Sequence, residues 1–333
     1  MIESVRFQNF QVLRDTTLSL GRFTLIVGPN GSGKSTAMQA LQAAANPNRF
    51  RYYSVATVGP SLGIVEIILQ WGNPYAGMTT RVQWNSDGYF RSHTNSQGVV
   101  LPEVDSPLLN EKLARVRVYA LDANAIAANT PLNPDVELYP DGAQLVVVLD
   151  QLRDRDPERF EALNEELGRW LPEFDRILFD TPGQGTRAFL LRTHQGHHAI
   201  RAVDLSQGTL FALAILTLAY LPDPPSMVCL EEPDRGIHPR LLREVQDALY
   251  RLSYPENFGE ERGPVQVLAT THSPYFLDLF KDHPEEIVIA QKVGQEARFE
   301  RLSDRPDIDE ILGDAPLGEV WYSGILGGVP AGP

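Results

Sequence analysis

The chain has 333 residues, 43% hydrophobic and 22% charged, which is ordinary for a globular protein of one large domain or two smaller ones. Its formal net charge of −14 argues against a surface that coats nucleic acid, because phosphate contacts need clustered lysine and arginine, but it leaves room for a local basic groove. The single cysteine, Cys229, excludes an intramolecular disulfide and a multi-cysteine zinc site, and we expect it to be a buried residue on a strand.

The first third of the chain predicts strands around one helix. Apolar and polar residues alternate over residues 1–27, which indicates short strands that close with a buried strand at residues 23–27. Residues 34–45 contain no Gly or Pro and predict a helix, which Asn46 and Pro47 end. Alternation within residues 63–92 predicts antiparallel strands.

The middle of the chain, residues 105–200, is acidic and predicted to be mainly helical. Its best-marked helix begins at Asp156 as N-cap and Pro157 in the first turn. Apolar residues recur along one face of that helix, and we expect them to belong to the core. Residues 209–221 are so apolar that they predict a buried helix.

The last third predicts further strands that alternate with helices, near residues 226–231, 264–270 and 286–292. This alternation indicates a largely parallel sheet covered by helices. No apolar stretch is long enough to cross a bilayer, and the N-terminus lacks the pattern of a signal peptide. We therefore expect a cytoplasmic protein with no membrane partner.

Residues 28–35, GPNGSGKS, match the phosphate-loop pattern G-x-x-x-x-G-K-[ST], with a predicted strand before them and a predicted helix after them. In such a loop the glycines let backbone N–H groups turn inward around a β-phosphate, and the helix N-terminus adds partial positive charge. Lys34 would reach the β- and γ-phosphate oxygens, and the Ser35 hydroxyl would coordinate Mg²⁺. A phosphate loop alone leaves kinases, GTPases and ATPases open.

Glu231 and Glu232 end an apolar strand, and together they suit nucleotide hydrolysis. Glu231 can hold Mg²⁺ through water, and Glu232 can activate the attacking water. The chain turns at the end of a strand, so both carboxylates can line one pocket. A charged strand end is also common, so this signal is moderate by itself.

Two further motifs come from short polar segments. Residues 205–209, LSQGT, place a Ser and a Gly at a helix start, where an anion can bind, although an ordinary N-cap has the same pattern. Two subunits placed head to tail would bring each such site onto the other subunit's γ-phosphate.

His272 follows a predicted strand, where it can contact a γ-phosphate and the attacking water. A lone histidine is more often structural.

The order of these motifs resembles that of the ABC-class ATPases: phosphate loop, signature, acidic strand, switch histidine. Within that class, residues 231–239, EEPDRGIHP, are similar to the E-E-P-E-x-G-[IL]-H-P run of the OLD- and RecF-like ATPases. Residues 7–10, FQNF, and residues 317–324, LGEVWYSG, are similar to that family too. The resemblance implies an α/β fold: an ABC-type P-loop NTPase with a mixed, largely parallel sheet, an antiparallel β subdomain and a helical subdomain.

The same resemblance implies ATP and Mg²⁺ as cofactors and assigns the site residues by position. Glu232 is the catalytic carboxylate, His272 the switch histidine, and Glu231 with Ser35 the metal side. The residues implied to bind the nucleotide are Gly28, Asn30, Gly31, Gly33, Lys34, Ser35 and Thr36 in one subunit, and Ser206, Gln207 and Gly208 from the other.

The sequence departs from the ABC pattern in two places. The metal-side acid is Glu where many ABC proteins have Asp, and the signature reads Leu-Ser-Gln-Gly rather than Leu-Ser-Gly-Gly. Gln144 is a candidate for the loop glutamine that senses Mg²⁺, and Phe10 and Arg14 are candidates for the adenine contact.

We expect one ABC-type ATPase domain over residues 1–333. Its expected parts are an antiparallel β portion at 58–100, a helical insertion at 101–200, a half carrying the signature, acidic strand and histidine at 201–290, and a C-terminal hairpin and tail at 291–333.

No heptads separate the motifs, and the stretch after His272 is short. Its acidic cluster, Asp304, Asp307, Asp309 and Glu310, suits a solvated loop better than a nuclease centre. We therefore expect a stand-alone ATPase without a coiled coil or a nuclease domain.

The leading functional hypothesis is an ATP-hydrolysing switch that dimerises head to tail over ATP. The resemblance implies a use in bacterial anti-phage defence or DNA maintenance, with a separately encoded effector such as a nuclease. Nucleic acid is a further candidate partner through the basic stretch at residues 187–201, although scattered surface charge explains that stretch more simply. The alternatives are a nucleotide-gated assembly module with little hydrolysis and, less favoured, a transporter ATPase subunit.

Overall fold

The computed structural model describes residues 1–57, 63–101, 106–132, 136–294, 296–311, 313 and 315–327. The remaining positions of the predicted β portion, helical insertion and C-terminal tail lie outside the described residues, as does the side chain of Asp309. The chain forms two compact units. Unit 1 comprises Met1–Val118, Pro225–Leu230 and Pro264–Pro333, and unit 2 comprises Tyr119–Pro224 and Glu231–Gly263.

Strands and helices follow one another along the described chain. In chain order the strands are β1 (Ile2–Phe10), β2 (Leu13–Ser19), β3 (Phe23–Val27), β4 (Val65–Trp71), β5 (Thr79–Asn85), β6 (Gly88–Thr94), β7 (Val100–Leu101), β8 (Val116–Tyr119), β9 (Thr130–Pro131), β10 (Phe174–Asp180), β11 (Thr186–Thr193), β12 (Ala199–Arg201), β13 (Met227–Leu230), β14 (Gln266–Thr271), β15 (Ile287–Val293) and β16 (Glu296–Arg301). The helices are α1 (Lys34–Ala45), α2 (Tyr52–Val55), α3 (Pro107–Ala114), α4 (Ala123–Ala127), α5 (Leu145–Arg155), α6 (Pro157–Trp170), α7 (Gln207–Ala219), α8 (Leu242–Ser253), α9 (Pro274–Asp278), α10 (Ile308–Ile311) and α11 (Leu317–Tyr322).

Unit 1 contains an antiparallel sheet in the order β2-β1-β4-β5-β6-β7. Alternation along its strands places every second side chain on one face. In β5, for example, Thr80, Val82 and Trp84 are buried whereas Arg81 is exposed. The antiparallel strands predicted within residues 63–92 are therefore confirmed.

The second sheet of unit 1 has the order β16-β15-β3-β14-β13-β8. Strands β15, β3, β14 and β13 are parallel neighbours, and β16 pairs antiparallel with β15. All residues of β3, β13 and β14 are buried, as expected for strands covered on both faces. The predicted mixed, largely parallel sheet is thus confirmed. Cys229 lies fully buried on β13, and burial raises the pKa of its thiol.

Unit 2 contains helices α4 to α8 and a small antiparallel sheet of β10, β11 and β12, with β9 beside β11. Helix α6 begins as predicted, because the Asp156 side chain accepts a hydrogen bond from the Arg159 N–H at 3.2 Å. Its apolar stripe, which includes Leu163 and Leu167, is buried. Helix α7 is buried from Thr209 to Ala219, in agreement with the apolar run in the sequence.

The segment 101–200 is less helical than the sequence predicted. After Trp170 the chain forms β10, β11 and β12 instead of further helix. Side chains alternate along these strands, with Phe189 and Leu191 buried and their neighbours half-buried. The pairing of these strands with one another overrides the weak local preference for helix. Among the described residues, no helix is both long and apolar enough to cross a membrane.

Candidate functional site

The phosphate loop lies at the carboxyl end of the parallel strands of unit 1. Residues 28–33 connect β3 to α1, and β3 lies between β14 and β15. Val27 of β3 is in register with Thr271 of β14. The loop and His272 therefore both follow the carboxyl ends of neighbouring parallel strands. Ligands bind at these ends in open α/β sheets.

Two glycines of the loop are packed so tightly that no side chain would fit. A Cβ at Gly33 would lie 2.7 Å from the Cβ of Ala297, and the residue has a left-handed φ of +96°. A Cβ at Gly28 would collide with the carbonyl oxygen of Ala290 on β15. Gly31 is also left-handed but has open space around it, so the loop is packed on its sheet side and open at its tip.

The Lys34 side chain is held inside the loop. Lys34 is only 6% exposed, and its Nζ donates hydrogen bonds to the carbonyl oxygens of Gly28 at 2.8 Å and Pro29 at 2.9 Å. These contacts keep an ammonium group beside the backbone that a phosphate would approach. Asn30 and Ser35 are exposed, and Thr36 is half-buried.

The start of α1 offers hydrogen-bond donors to an anion. The helix has no side-chain cap and no acidic residue in its first turn, so its first backbone N–H groups and its dipole favour negative charge. Within the described part of the chain, the buried Ser32 hydroxyl has no hydrogen-bond partner. Backbone N–H groups, one ammonium and the Ser35 hydroxyl form a donor set that fits a triphosphate with Mg²⁺.

His272 is held between an ordered strand and a capped helix. It directly follows β14 and is half-buried. The Thr271 hydroxyl accepts a hydrogen bond from the Ser273 N–H at 2.9 Å, and the Ser273 side chain accepts one from the Phe276 N–H in α9. The structure thus places the predicted switch histidine and the predicted phosphate loop at one edge of the same sheet.

Glu231 and Glu232 directly follow β13 and belong to unit 2. The Glu231 N–H donates to the carbonyl oxygen of Tyr119 at 2.9 Å, which fixes the start of the acidic pair. Glu232 has a left-handed φ of +46°, which is rare for a residue with a side chain and tends to occur at functional sites. The chain therefore turns at Glu232, and the Arg235 N–H closes the turn on the Glu232 carbonyl oxygen at 2.9 Å.

The signature segment begins α7, and its first residues are exposed. Ser206 is the N-cap, and its Oγ accepts a hydrogen bond from the Thr209 N–H at 3.2 Å. Ser206 and Gln207 are exposed although the helix is buried from Thr209 onward. The predicted anion site is therefore accessible on unit 2.

The turn after the acidic pair packs against the signature, a contact that sequence reasoning missed. A Cβ at Gly208 would lie 2.5 Å from the carbonyl oxygen of Gly236, so only glycine fits there. The Arg235 guanidinium donates to the Leu121 carbonyl oxygen and lies 5.3 Å from the ring centroid of Phe211 on α7. Arg235 and Gly236 were visible in the EEPDRGIHP run, but their partner could not be read from it.

The basic stretch 187–201 does not form a basic patch. Arg187 pairs with Asp150 at 2.8 Å, and Arg201 pairs with Asp204 at 2.8 Å. Arg192 makes two hydrogen bonds to Asp175, and these hold the pKa of the Asp175 carboxyl below its usual range. Each arginine has an acidic neighbour, so the simpler interpretation, scattered surface charge, is the better one.

The structure also places the candidates for the adenine contact and for the glutamine that senses Mg²⁺. Phe10 is fully buried in the core of unit 1, which removes it as an adenine contact, whereas Arg14 is exposed. Gln144 lies in unit 2 as the N-cap of α5, with a left-handed φ of +69°. Its side-chain oxygen is buried and has no hydrogen-bond partner among the described residues.

The sequence matches two families of ATPase domains. Residues 86–278 match the family described as "AAA domain, putative AbiEii toxin, Type IV TA system", and residues 1–95 match the family described as "AAA ATPase domain". The chain is 21% identical to the OLD nuclease of Thermus scotoductus, over 96% of this chain and 68% of that protein. It is 34% identical to the DNA double-strand break repair Rad50 ATPase of Methanopyrus kandleri, over 22% of this chain and 8% of that protein.

Solved structures of SMC heads share the fold. The SmcHead bound to the C-winged helix domain of ScpA is 16% identical, with a TM-score of 0.64 over 90% of this chain and 96% of that chain. A Smc head domain from Pyrococcus yayanosii, with a coiled coil and joint, is 12% identical, with a TM-score of 0.59 over 94% of this chain and 99% of that chain. The chain therefore belongs to the family described as "AAA domain, putative AbiEii toxin, Type IV TA system", as an ABC-class ATPase of the OLD- and RecF-like type.

Proposed function

We propose that the protein binds and hydrolyses ATP, and that ATP joins two copies head to tail as a switch. The observation that carries this proposal is the phosphate loop, with its buried Lys34 ammonium, its open tip at Gly31 and the uncapped start of α1. Each of these features favours an anionic phosphate, and together they fit a nucleoside triphosphate.

Each side chain at the proposed site would have its own role in ATP hydrolysis. Lys34 would neutralise charge on the β- and γ-phosphates, while Ser35 and Glu231 would hold Mg²⁺. When bound, Mg²⁺ neutralises negative charge that develops on the phosphate oxygens. Glu232 would orient the attacking water and accept its proton, and His272 would donate a hydrogen bond to the γ-phosphate.

The second copy would supply the signature. Ser206 and Gln207 are exposed at the start of α7, and the first turn of that helix has no acidic residue. Such a helix start attracts the γ-phosphate held by the other copy, so that ATP acts as the attraction between two subunits. Gly208 keeps its place against the turn of Gly236, which fixes the position of the signature.

The printed descriptions of the matched family and of one relative support a proposal for the biological role. The matched family is described by a putative AbiEii toxin of a type IV toxin–antitoxin system, and one relative is an OLD nuclease. We propose a role in bacterial anti-phage defence or DNA maintenance, with a separately encoded effector such as a nuclease. Because the arginines of residues 187–201 are paired with carboxylates, they lend no support to direct nucleic-acid binding there.

Phosphate release from the purified chain tests this function. We expect Mg²⁺-dependent turnover of ATP that Lys34→Ala abolishes, with Lys112→Ala, which removes an exposed lysine of α3 outside the loop, as the matched control. If wild type and Lys34→Ala release phosphate at the same background rate although wild type binds ATP and dimerises, the assembly module with little hydrolysis is the correct function instead.

A further inference from the structure

The motif at residues 317–324 has no role in the proposed function, yet it is firmly placed in unit 1. It forms α11, whose Leu317, Gly318 and Val320 are buried. Leu326 follows the helix and is fully buried. Burial of these residues shows that this part of the tail is packed onto the unit.

Helix α11 packs against α9, which begins two residues after His272. The Gly318 N–H donates a 2.6 Å hydrogen bond to Oδ1 of Asp278, the last residue of α9. Asp278 therefore caps the start of α11 with a negative charge, which also suits the helix dipole. The two short helices are thus joined where one ends and the other begins.

Gly318 also touches the start of α9. A Cβ at Gly318 would lie 2.6 Å from both the Cβ and the carbonyl oxygen of Pro274. This distance is shorter than any normal contact, so a larger residue at position 318 must displace either α11 or Pro274. Because Pro274 is two residues from His272, its displacement moves the histidine.

Further hydrogen bonds hold the chain on both sides of α11. Before the helix, Lys281 Nζ donates to the carbonyl oxygens of Gly313 at 2.7 Å and Ala315 at 3.0 Å. After it, the Leu326 carbonyl oxygen accepts hydrogen bonds from Gln291 and Arg305. The chain after α11 is therefore tied to Gln291 of β15 and to Arg305, so the helix has anchors besides α9.

We propose that α11 is a brace for the His272 loop, and that Gly318 and Asp278 are positioning residues for ATP hydrolysis. The proposal rests on the proposed function, because it assigns His272 to the hydrolysis step. The rate of hydrolysis is more sensitive than the affinity for nucleotide to the position of the group that contacts the γ-phosphate. A perturbed brace therefore lowers kcat and leaves KM nearly unchanged.

The first test is Gly318→Ala, with Gly263→Ala as the control because a Cβ at Gly263 meets no atom within 4 Å. We expect Gly318→Ala to lower kcat by about tenfold and to change KM by less than about twofold. Gly263→Ala should leave both values unchanged. A Gly318→Ala enzyme with wild-type kcat, or one in which KM alone rises, would overturn the brace.

A double-mutant cycle with His272→Ala separates positioning from a general loss of packing. If α11 acts through His272, adding Gly318→Ala to His272→Ala lowers kcat no further. A second full loss in the double variant would mean that Gly318 acts elsewhere, and would overturn the proposal.

Hydrogen exchange makes the brace testable without hydrolysis. Amides of residues 271–280 should exchange faster in Gly318→Ala and in Asp278→Ala than in wild type, whereas Asp278→Asn, which keeps an acceptor oxygen, should restore protection. Unchanged exchange in both variants would overturn the brace. Faster exchange combined with a wild type that does not hydrolyse ATP would support the brace and refute the proposed function.

Discussion

Glu232 is the residue whose local geometry most clearly marks a site. Its left-handed backbone carries strain that the turn to Arg235 maintains, and its carboxylate lies two residues after the buried strand β13. Strain of this kind persists where the surrounding structure holds it, and a glutamate has no intrinsic reason to adopt it. We therefore place the catalytic proposal on this side chain.

We predict that Glu232→Gln abolishes phosphate release and retains ATP binding. The amide has nearly the shape of the carboxylate but cannot accept a proton, so the loss should be on the order of a hundredfold or more. Phosphate release and equilibrium binding of ATP measure the two quantities. Glu158→Gln, at an exposed position of α6, is the control. Unchanged turnover in Glu232→Gln would remove this residue from the catalytic role.

Gly31 and Gly33 form a matched pair for the loop's conformation. Both have left-handed φ values, but only Gly33 faces Ala297 and Leu13 at contact distance. We predict that Gly31→Ala lowers the free energy of unfolding by about 1 kcal/mol through backbone strain alone. Gly33→Ala adds a collision and should lower it by roughly 1–3 kcal/mol more. Urea denaturation compares them, and equal losses would contradict the packing that the structure shows.

At the scale of elements, the start of α7 has one observed role and one proposed role, which a substitution can separate. Ser206 caps the helix, and the same exposed residue would face the γ-phosphate of a second copy. Aspartate is as good an N-cap as serine, but it repels an anion. Helix stability and nucleotide-driven association therefore respond differently to one change.

We predict that Ser206→Asp keeps the unfolding midpoint of wild type and loses ATP-dependent dimerisation. Ser206→Thr keeps both the cap and the neutral charge, and so should dimerise like wild type. Sedimentation velocity with Mg²⁺ and ATP, in a Glu232→Gln background that prevents hydrolysis, measures association. A Ser206→Asp protein that dimerises as well as Ser206→Thr would contradict a role for α7 at the triphosphate.

At the scale of the whole molecule, a head-to-tail dimer has two sites, each built from the phosphate loop of one copy and the signature of the other. Such an arrangement predicts complementation between defects in the two parts. A dimer of one Lys34→Ala chain and one Ser206→Asp chain places both defects in one site and leaves the other site intact.

We predict that a mixture of Lys34→Ala and Ser206→Asp proteins regains turnover that neither protein has alone. Each mixed dimer carries one intact site of its two, so activity should rise clearly above that of either protein and reach at most about half of wild type. Phosphate release from each protein and from the equimolar mixture gives the comparison. A mixture as inactive as its components would exclude sites shared between copies.

The sequence determined the features that depend on contiguous residues. The phosphate loop, α1, α6 with its Asp156 cap and the buried parallel strands all follow from local patterns that each carry their own physical signal. Spacing and order along the chain also indicated the ATPase class. These predictions needed no knowledge of which distant segments meet.

Tertiary structure decided the features that depend on partners far apart in the chain. Arg187 is neutralised by Asp150, Gly208 is fixed as glycine by Gly236, and α11 rests on Pro274. The strands β10 to β12 form because they pair with one another, although the sequence there favoured helix. A local pattern records the preference of a segment, whereas charge pairing, close approach and strand pairing are settled only when separate segments pack together.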